Sequence, residues 1–352
     1  MRDKTSQSLD GWRGLAILGV LAGHFSYQTS SDIRPLLGDS IADWFYVFSN
    51  KSIVGVLFFF CLSGYLVAKS FIETPLPFKA RLNDFLLRRA SRILPMLFVF
   101  LATLLALNQI GYLKMQPSGV LASLFFVRNW TPGDFYTTHL WSLSVEAHFY
   151  LLCPFLLYGV IKSRRPFALL LLLTIAATTW RIWEIQHRLK LSLGWPAGGE
   201  STDYYFCVLF SGALLNFRPG GWDRVFAQWP AFALALAACF SSYNSQFPFA
   251  GYIQVISPCL LLSCLIAGPT HALAAPFRSR PLVFLGTISY SLYLWQQIFL
   301  RPVAGNILLN LGLCVLLSWA THRWIEEPLR KLRSKPPLLQ PPLDFPALRR
   351  LI

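Results

Sequence analysis

Charge is what this sequence has least of. Only 13% of its 352 residues are Asp, Glu, Lys or Arg, where a soluble domain carries roughly a quarter. With 55% hydrophobic residues and a mean hydropathy of +0.48, the deficit excludes a water-soluble globular domain and points to one integral membrane domain. Cysteine motifs are missing as well. The seven cysteines (Cys61, Cys153, Cys207, Cys239, Cys259, Cys264 and Cys314) fall singly in apolar runs, with no CxxC pair and no metal spacing. Neither a disulfide framework nor a zinc or other metal site is indicated, and they read as small buried hydrophobes. No internal repeat of fixed period is visible, which weakens transporter architectures built on duplicated halves. The net charge of +15 is dispersed at the ends of apolar runs. That is how topology determinants are placed, so no nucleic-acid partner is expected.

Long apolar runs are what the sequence does have. A helix needs about 20 residues to cross the hydrocarbon, and candidate spans lie at 9–28, 52–71, 88–108, 142–161, 166–183, 203–217, 229–243, 249–268, 281–300 and 303–322. The expected fold is therefore all-α and polytopic, with about ten transmembrane helices. The segment 118–127 is too short to span and is expected to be re-entrant or interfacial. With the N-terminus in the cytoplasm, the Lys and Arg residues divide 22 inside to 8 outside, Arg13 lying within a span. This bias places both termini inside. Arg2 and Lys4 before an apolar run mimic a signal peptide, but Arg13 interrupts the run and no A-x-A-like site follows, so an uncleaved first span is expected. Residues 336–352 are proline-rich and read as an extended or interfacial cytoplasmic tail. No soluble domain attached to the spans is expected.

The first span, "LDGWRGLAILGVLAGHF", carries Asp10, Arg13 and His24, each costly in hydrocarbon. Arg13 and His24 are eleven residues apart, three turns plus about 20°, so both project from one face about 16 Å apart along the axis. Asp10 stands at i, i+3 to Arg13, a structural pairing. Glu146, in "HLWSLSVEAHFYLL", sits one turn into the fourth span, at a depth similar to His24. A buried carboxylate needs a partner, and His24 is the expected one, with Glu146 fixing the imidazole tautomer and raising its basicity. The competing view is that Glu146 meets water or His148 at the interface. In "LLRRASRILP", Arg89 and Arg92 share a helical face with Arg88 beside them. They serve either as a positive-inside anchor or, with Arg13, as a phosphate-gripping mouth. A long, thin ligand with a charged head and a reactive tail fits such a mouth. An acyl thioester of coenzyme A has that shape, as do other amphipathic anions.

These segments resemble the motifs of the acyltransferase-3 family of integral membrane O-acyltransferases. "LDGWRGLAILGVLAGH" is similar to the family's opening motif, "GVLFFFCLSGYLVAKSF" to its second-span signature, and "RRASRILP" to its Arg-x-x-Arg motif through Arg89 and Arg92. "HLWSLSVEAHFYLLCPFLL", "FLGTISYSLYLWQQ" and "WIEEPLRK" follow in family order, framing residues 9–331, while 165–275 match loosely. The resemblance implies an acyltransferase membrane domain over 1–335 and transfer of an acyl group, often acetyl, from acyl-CoA to a sugar hydroxyl. The acceptor would be a surface polysaccharide, a lipid-linked glycan or a glycosylated metabolite. It implies His24 and Glu146 as catalytic residues and Arg13, Arg89 and Arg92 as donor-binding ones. Acyl-CoA serves as co-substrate, with no permanently bound cofactor and no metal. The implied setting is the cytoplasmic (inner) membrane as a multi-pass protein among lipid, with room for a homo-oligomer or partner glycan-assembly proteins.

Two departures from the family stand out. Trp295-Gln296 replaces the Trp-His that often follows "SYSLYL", and the extracytoplasmic SGNH-type hydrolase domain fused to many members is not expected here. Transfer is therefore expected to finish within the membrane domain or be completed by a partner. Trp141, Ser142, Tyr290 and Tyr293 are candidates to position the acyl carbonyl, against roles in packing or interface anchoring. Glu326 and Glu327, past the last span, are expected to tie cytoplasmic elements together. Direct transfer with His24 as base and an acyl-histidine intermediate both remain open. The rival class is a transporter or flippase using Arg13, His24 and Glu146 as an ion or proton path. A non-catalytic scaffold is the third reading.

Overall fold

A computed structural model describes residues 4–39, 43, 53–131, 134–191, 202–241, 250–268, 270–300 and 307–333. The expected tail at 336–352 and the basic residues Arg2, Lys51 and Arg301 of the orientation count lie outside them. Among the described residues there are helices and turns but no strand.

The long helices follow the long apolar runs. They are α1 (Lys4–Leu37), α2 (Ile53–Ile72), α3 (Phe78–Gln109), α5 (Trp141–Lys162) and α6 (Pro166–Leu191), with the eight-residue α4 (Pro117–Leu124) between the third and fourth spans. Four of these, α2, α3, α5 and α6, are long and apolar enough to cross a membrane. The later elements are shorter: α7 (Thr202–Leu214), α8 (Trp222–Phe226), α9 (Trp229–Ser241), α10 (Ala250–Ala267), α11 (Arg280–Thr287), α12 (Ser289–Phe299), α13 (Ile307–Thr321) and α14 (Glu327–Arg333). The helices α7 and α9 have 13 residues each, about 20 Å at 1.5 Å per residue, short of the roughly 30 Å of hydrocarbon.

The ninth expected span differs in kind. In place of one helix over 281–300, α11 and α12 meet at Ile288, where φ −93° and ψ 6° leave the helical region. The break turns Ser289, Tyr290 and Tyr293 toward the interior as a separate short helix.

Close backbone packing sets where α1 lies. A Cβ on Gly11 would overlap the carbonyl of Phe277, one on Gly14 that of Leu282, and one on Gly286 that of Asp10. Only glycine allows α1 and α11 to approach this closely, the device membrane helices use where apolar burial gives no net drive between them. Next to Arg13, Trp12 is fully buried, its ring tilted against that of Phe58 at 4.2 Å and its Nε1 donating to the Phe58 carbonyl at 3.4 Å. These contacts fix the rotation of α1, and so the direction of its polar face.

Candidate functional site

One cavity gathers side chains from five helices. Its walls include Arg13 of α1, Ser63 of α2, Arg89 and Arg92 of α3, Ser142, Glu146 and Tyr150 of α5, and Tyr290 and Tyr293 of α12. It holds about 870 Å³ counted out to its open mouth. A second, more polar cavity adjoins it and shares Arg13, Arg92, Ser289 and Tyr290. Asp10, Glu326 and Arg330 line that outer chamber. The two cavities share a wall of four residues beside the N-terminal half of α1, and the first reaches Val20, one turn before His24 in the sequence, while His24 lines neither.

The arginines are held in different ways. Arg13 pairs with Asp10 at 2.9 Å, the contact that the i, i+3 spacing predicts. Arg89 lies over the rings of Phe85 and Tyr150 at 5.5 and 5.4 Å, makes a long contact of 3.5 Å to the Leu66 carbonyl, and keeps its buried Nε without a hydrogen-bond partner. Arg92 borders both chambers. Arg88 points elsewhere and pairs with Asp84. Three guanidiniums therefore face the inner chamber against one carboxylate, Glu146. The surplus of positive charge, and donors with spare hydrogen-bonding capacity, suit an anionic ligand.

Glu146 does not pair with His24, which corrects the sequence expectation. Its Oε1 accepts hydrogen bonds from Ser63 Oγ and Tyr150 OH, and Arg89 and Tyr150 lie within electrostatic range. Nor does His148 take that place, since it bonds Thr202 at 2.7 Å and stacks on Trp130 at 4.6 Å. The position of each residue along its own helix was legible in the sequence, but the azimuth of each helix was not. The i, i+4 position of Tyr150 was the available signal for its role.

His24 lies farther in, with Gln296 of α12 and His139 as its polar neighbours. Gln296 approaches the His24 ring without reaching hydrogen-bond geometry, and His24 Nδ1 has no partner. His139 comes from the short turn Thr138–Leu140 that opens α5. Its carbonyl accepts from Tyr293 OH, which also contacts Ser142 Oγ at 2.8 Å. Tyr293 is thus the common wall between the arginine-lined cavity and the two imidazoles. Sequence reasoning passed over Ser63 and His139, and met Gln296 only as a departure from the Trp-His that often follows "SYSLYL" in the family.

The remaining candidates are accounted for by contacts. Tyr290 lines both chambers and donates to the Ile93 carbonyl at 2.8 Å, tying α12 to α3. Trp141 is not in the cavity wall. It packs between Phe60 and Tyr205, ring centroids 6.1 and 5.0 Å away. Glu326 joins His322 at 3.0 Å and Ser291 of α12 at 3.2 Å, while Glu327 pairs with Arg323 and Lys331 near its own helix.

A family model described as an acyltransferase domain matches residues 6–324. Among curated proteins, the chain is 26% identical over 377 residues to the O-acetyltransferase OatA of Staphylococcus aureus, covering 92% of this chain and 57% of that protein. It is 23% identical over 373 residues to the peptidoglycan O-acetyltransferase OatA of Listeria monocytogenes, covering 92% and 56%. The chain thus spans a little over half the length of these relatives. No solved structure matches it.

Proposed function

The chain belongs to the acyltransferase-3 family, and from that premise we propose that it is a membrane O-acyltransferase moving an acyl group, acetyl in the simplest case, from acyl-CoA to a sugar hydroxyl. In this reading it sits in the cytoplasmic membrane with about ten crossings and both termini inside. The shared cavity wall beside the N-terminal half of α1 then marks its cytoplasmic mouth. The relatives named for peptidoglycan O-acetylation support a cell-wall or surface polysaccharide as acceptor.

The observation that carries the proposal is the convergence of Arg13, Arg89 and Arg92 on one cavity that reaches Val20, one turn before His24 on α1. The arginines hold the phosphates of the donor, with Arg89 Nε supplying an unused donor. The pantetheine arm follows α1 inward past Val20. At the far end His24 takes the proton of the acceptor hydroxyl as that oxygen attacks the thioester carbonyl carbon. The C–S bond breaks, and the proton passes from His24 to the departing sulfur, releasing the free thiol. A positioned base contributes about 10²–10⁴-fold, and alignment of the two substrates more. Glu146 acts here through charge balance with Arg89 and through the hydroxyls of Ser63 and Tyr150, not through the imidazole.

The test is acetyl transfer by the purified full-length chain in lipid vesicles, with radiolabelled acetyl-CoA and chitopentaose as acceptor. Label is expected in the oligosaccharide, with a loss of about 10²-fold or more in His24→Ala. Undiminished transfer by that variant would overturn the role of His24.

A further inference from the structure

Buried polar atoms without partners are few in folded proteins, and each calls for a cause. Among the described residues, five such atoms belong to three side chains that meet at one place: His24 Nδ1, both ring nitrogens of His139, and Oε1 and Nε2 of Gln296. His139 is 2% exposed and Gln296 fully buried, so bulk water does not serve them.

The scaffold around these atoms is well held. The His139 ring packs edge-on against Phe100 at 5.7 Å and tilted against Tyr293 at 5.1 Å, and its carbonyl is fixed by the Tyr293 hydroxyl. Next to Gln296, Trp295 donates to Thr321 Oγ1 at 3.1 Å and packs on Phe100 at 5.6 Å, setting the rotation of α12. On the other side, Gln297 Nε2 donates to the Phe135 carbonyl at 2.7 Å. Trp295, Tyr293 and the amide nitrogen of Gln297 are satisfied, while the three functional groups, with the Leu294 backbone beside His139, keep five atoms without a hydrogen bond. That is the pattern of a polar site prepared for a ligand rather than of a packed core.

The chemistry of the three groups narrows the ligand. Arg13, Arg89 and Arg92 line the other cavity, across Tyr293, while Arg128, the arginine within electrostatic range of His139, has its guanidinium taken up by Thr131, Thr137 and Thr138. Two imidazoles and a carboxamide offer donors and acceptors side by side with no carboxylate or guanidinium among them. Such a set pairs with neighbouring hydroxyls, each of which both donates and accepts, and gives no compensation to a phosphate or an ammonium. We propose that His139 and Gln296, beside His24, form the acceptor subsite, binding the hydroxyls that flank the one to be acylated on a neutral sugar ring. This rests on the acyltransferase reading and adds to it which residues select the acceptor. Tyr293 then stands between the cavity for the anionic donor and the groups that bind the neutral acceptor.

Equilibrium binding of chitopentaose and of coenzyme A to the purified full-length chain in detergent tests this without requiring turnover. The unaltered chain is expected to bind both. Gln296→Leu, close in volume but without the amide, and His139→Gln are each expected to weaken chitopentaose binding tenfold or more. Coenzyme A affinity should stay within twofold. Chitopentaose binding that is absent from the unaltered chain, or unchanged in both variants, would overturn the subsite, as would a parallel loss of coenzyme A binding that marks a general structural defect. Acetyl transfer is measured separately. Its absence in the unaltered chain, with oligosaccharide binding intact and sensitive to both variants, would sink the acyltransferase reading and leave the sugar site standing.

Discussion

Glu146 brings a carboxylate into an apolar helix, and two hydroxyls set the consequence of removing it. Ser63 and Tyr150 both donate to the same oxygen. Glu146→Gln keeps an acceptor there, whereas Glu146→Ala leaves two donors in the cavity wall without one, at about 1–3 kcal/mol for each buried group left unsatisfied. Thermal unfolding in detergent is expected to show Glu146→Ala clearly less stable than Glu146→Gln. Equal losses would mean the charge, not the hydrogen bonds, holds the site. The residue scale also shows where reading the sequence succeeds and fails. The Asp10–Arg13 pair was legible because both groups lie on one helix at fixed spacing. The partner of Glu146 was not, because it is chosen by how α2 and α5 are rotated against each other. Periodicity in a nearly all-apolar helix does not record that rotation.

At the scale of elements, long uninterrupted apolar runs announced α2, α3, α5 and α6, since length and hydropathy alone define a crossing helix. The division of the ninth run into α11 and α12 was hidden, because every residue near the break is tolerated in apolar surroundings. In retrospect Gly286 marks it, placed where α11 touches α1. An added methyl there would overlap main-chain atoms of Asp10, which cannot give way as a side-chain tip does. Gly286→Ala is therefore expected to destabilise by about 1–3 kcal/mol. Gly159 of α5 has open space around it, and Gly159→Ala is expected to be neutral or to stabilise by up to about 1 kcal/mol through helix propensity. Chemical or thermal unfolding of the two variants side by side checks the claim. Similar effects from both would show that the α1–α11 contact is looser than described.

For the whole molecule, the arrangement is an arginine-lined cavity with Tyr293 in its wall and the imidazole of His139 on the far side of that ring. The sequence foretold that basic and imidazole groups would share one side of α1, because eleven residues return nearly to the same azimuth. It could not show that α12 would supply the dividing wall. Tyr293→Phe removes the hydroxyl that spans Ser142 and the His139 carbonyl. In the proposed reaction this variant is expected to lower kcat about tenfold or more with little change in KM for acetyl-CoA, as measured by steady-state transfer. A rise in donor KM alone would place Tyr293 in the donor chamber instead.

The most direct test of the account is the affinity of the purified chain for coenzyme A, compared with Arg89→Ala and Arg92→Ala. Hydrogen bonds to charged groups are worth about 1.5–3 kcal/mol each, so each variant is expected to bind about tenfold or more weakly. The weakening should shrink in high salt as the phosphates are screened. Affinity within twofold of the unaltered chain in both variants would contradict the assignment of this cavity to the donor.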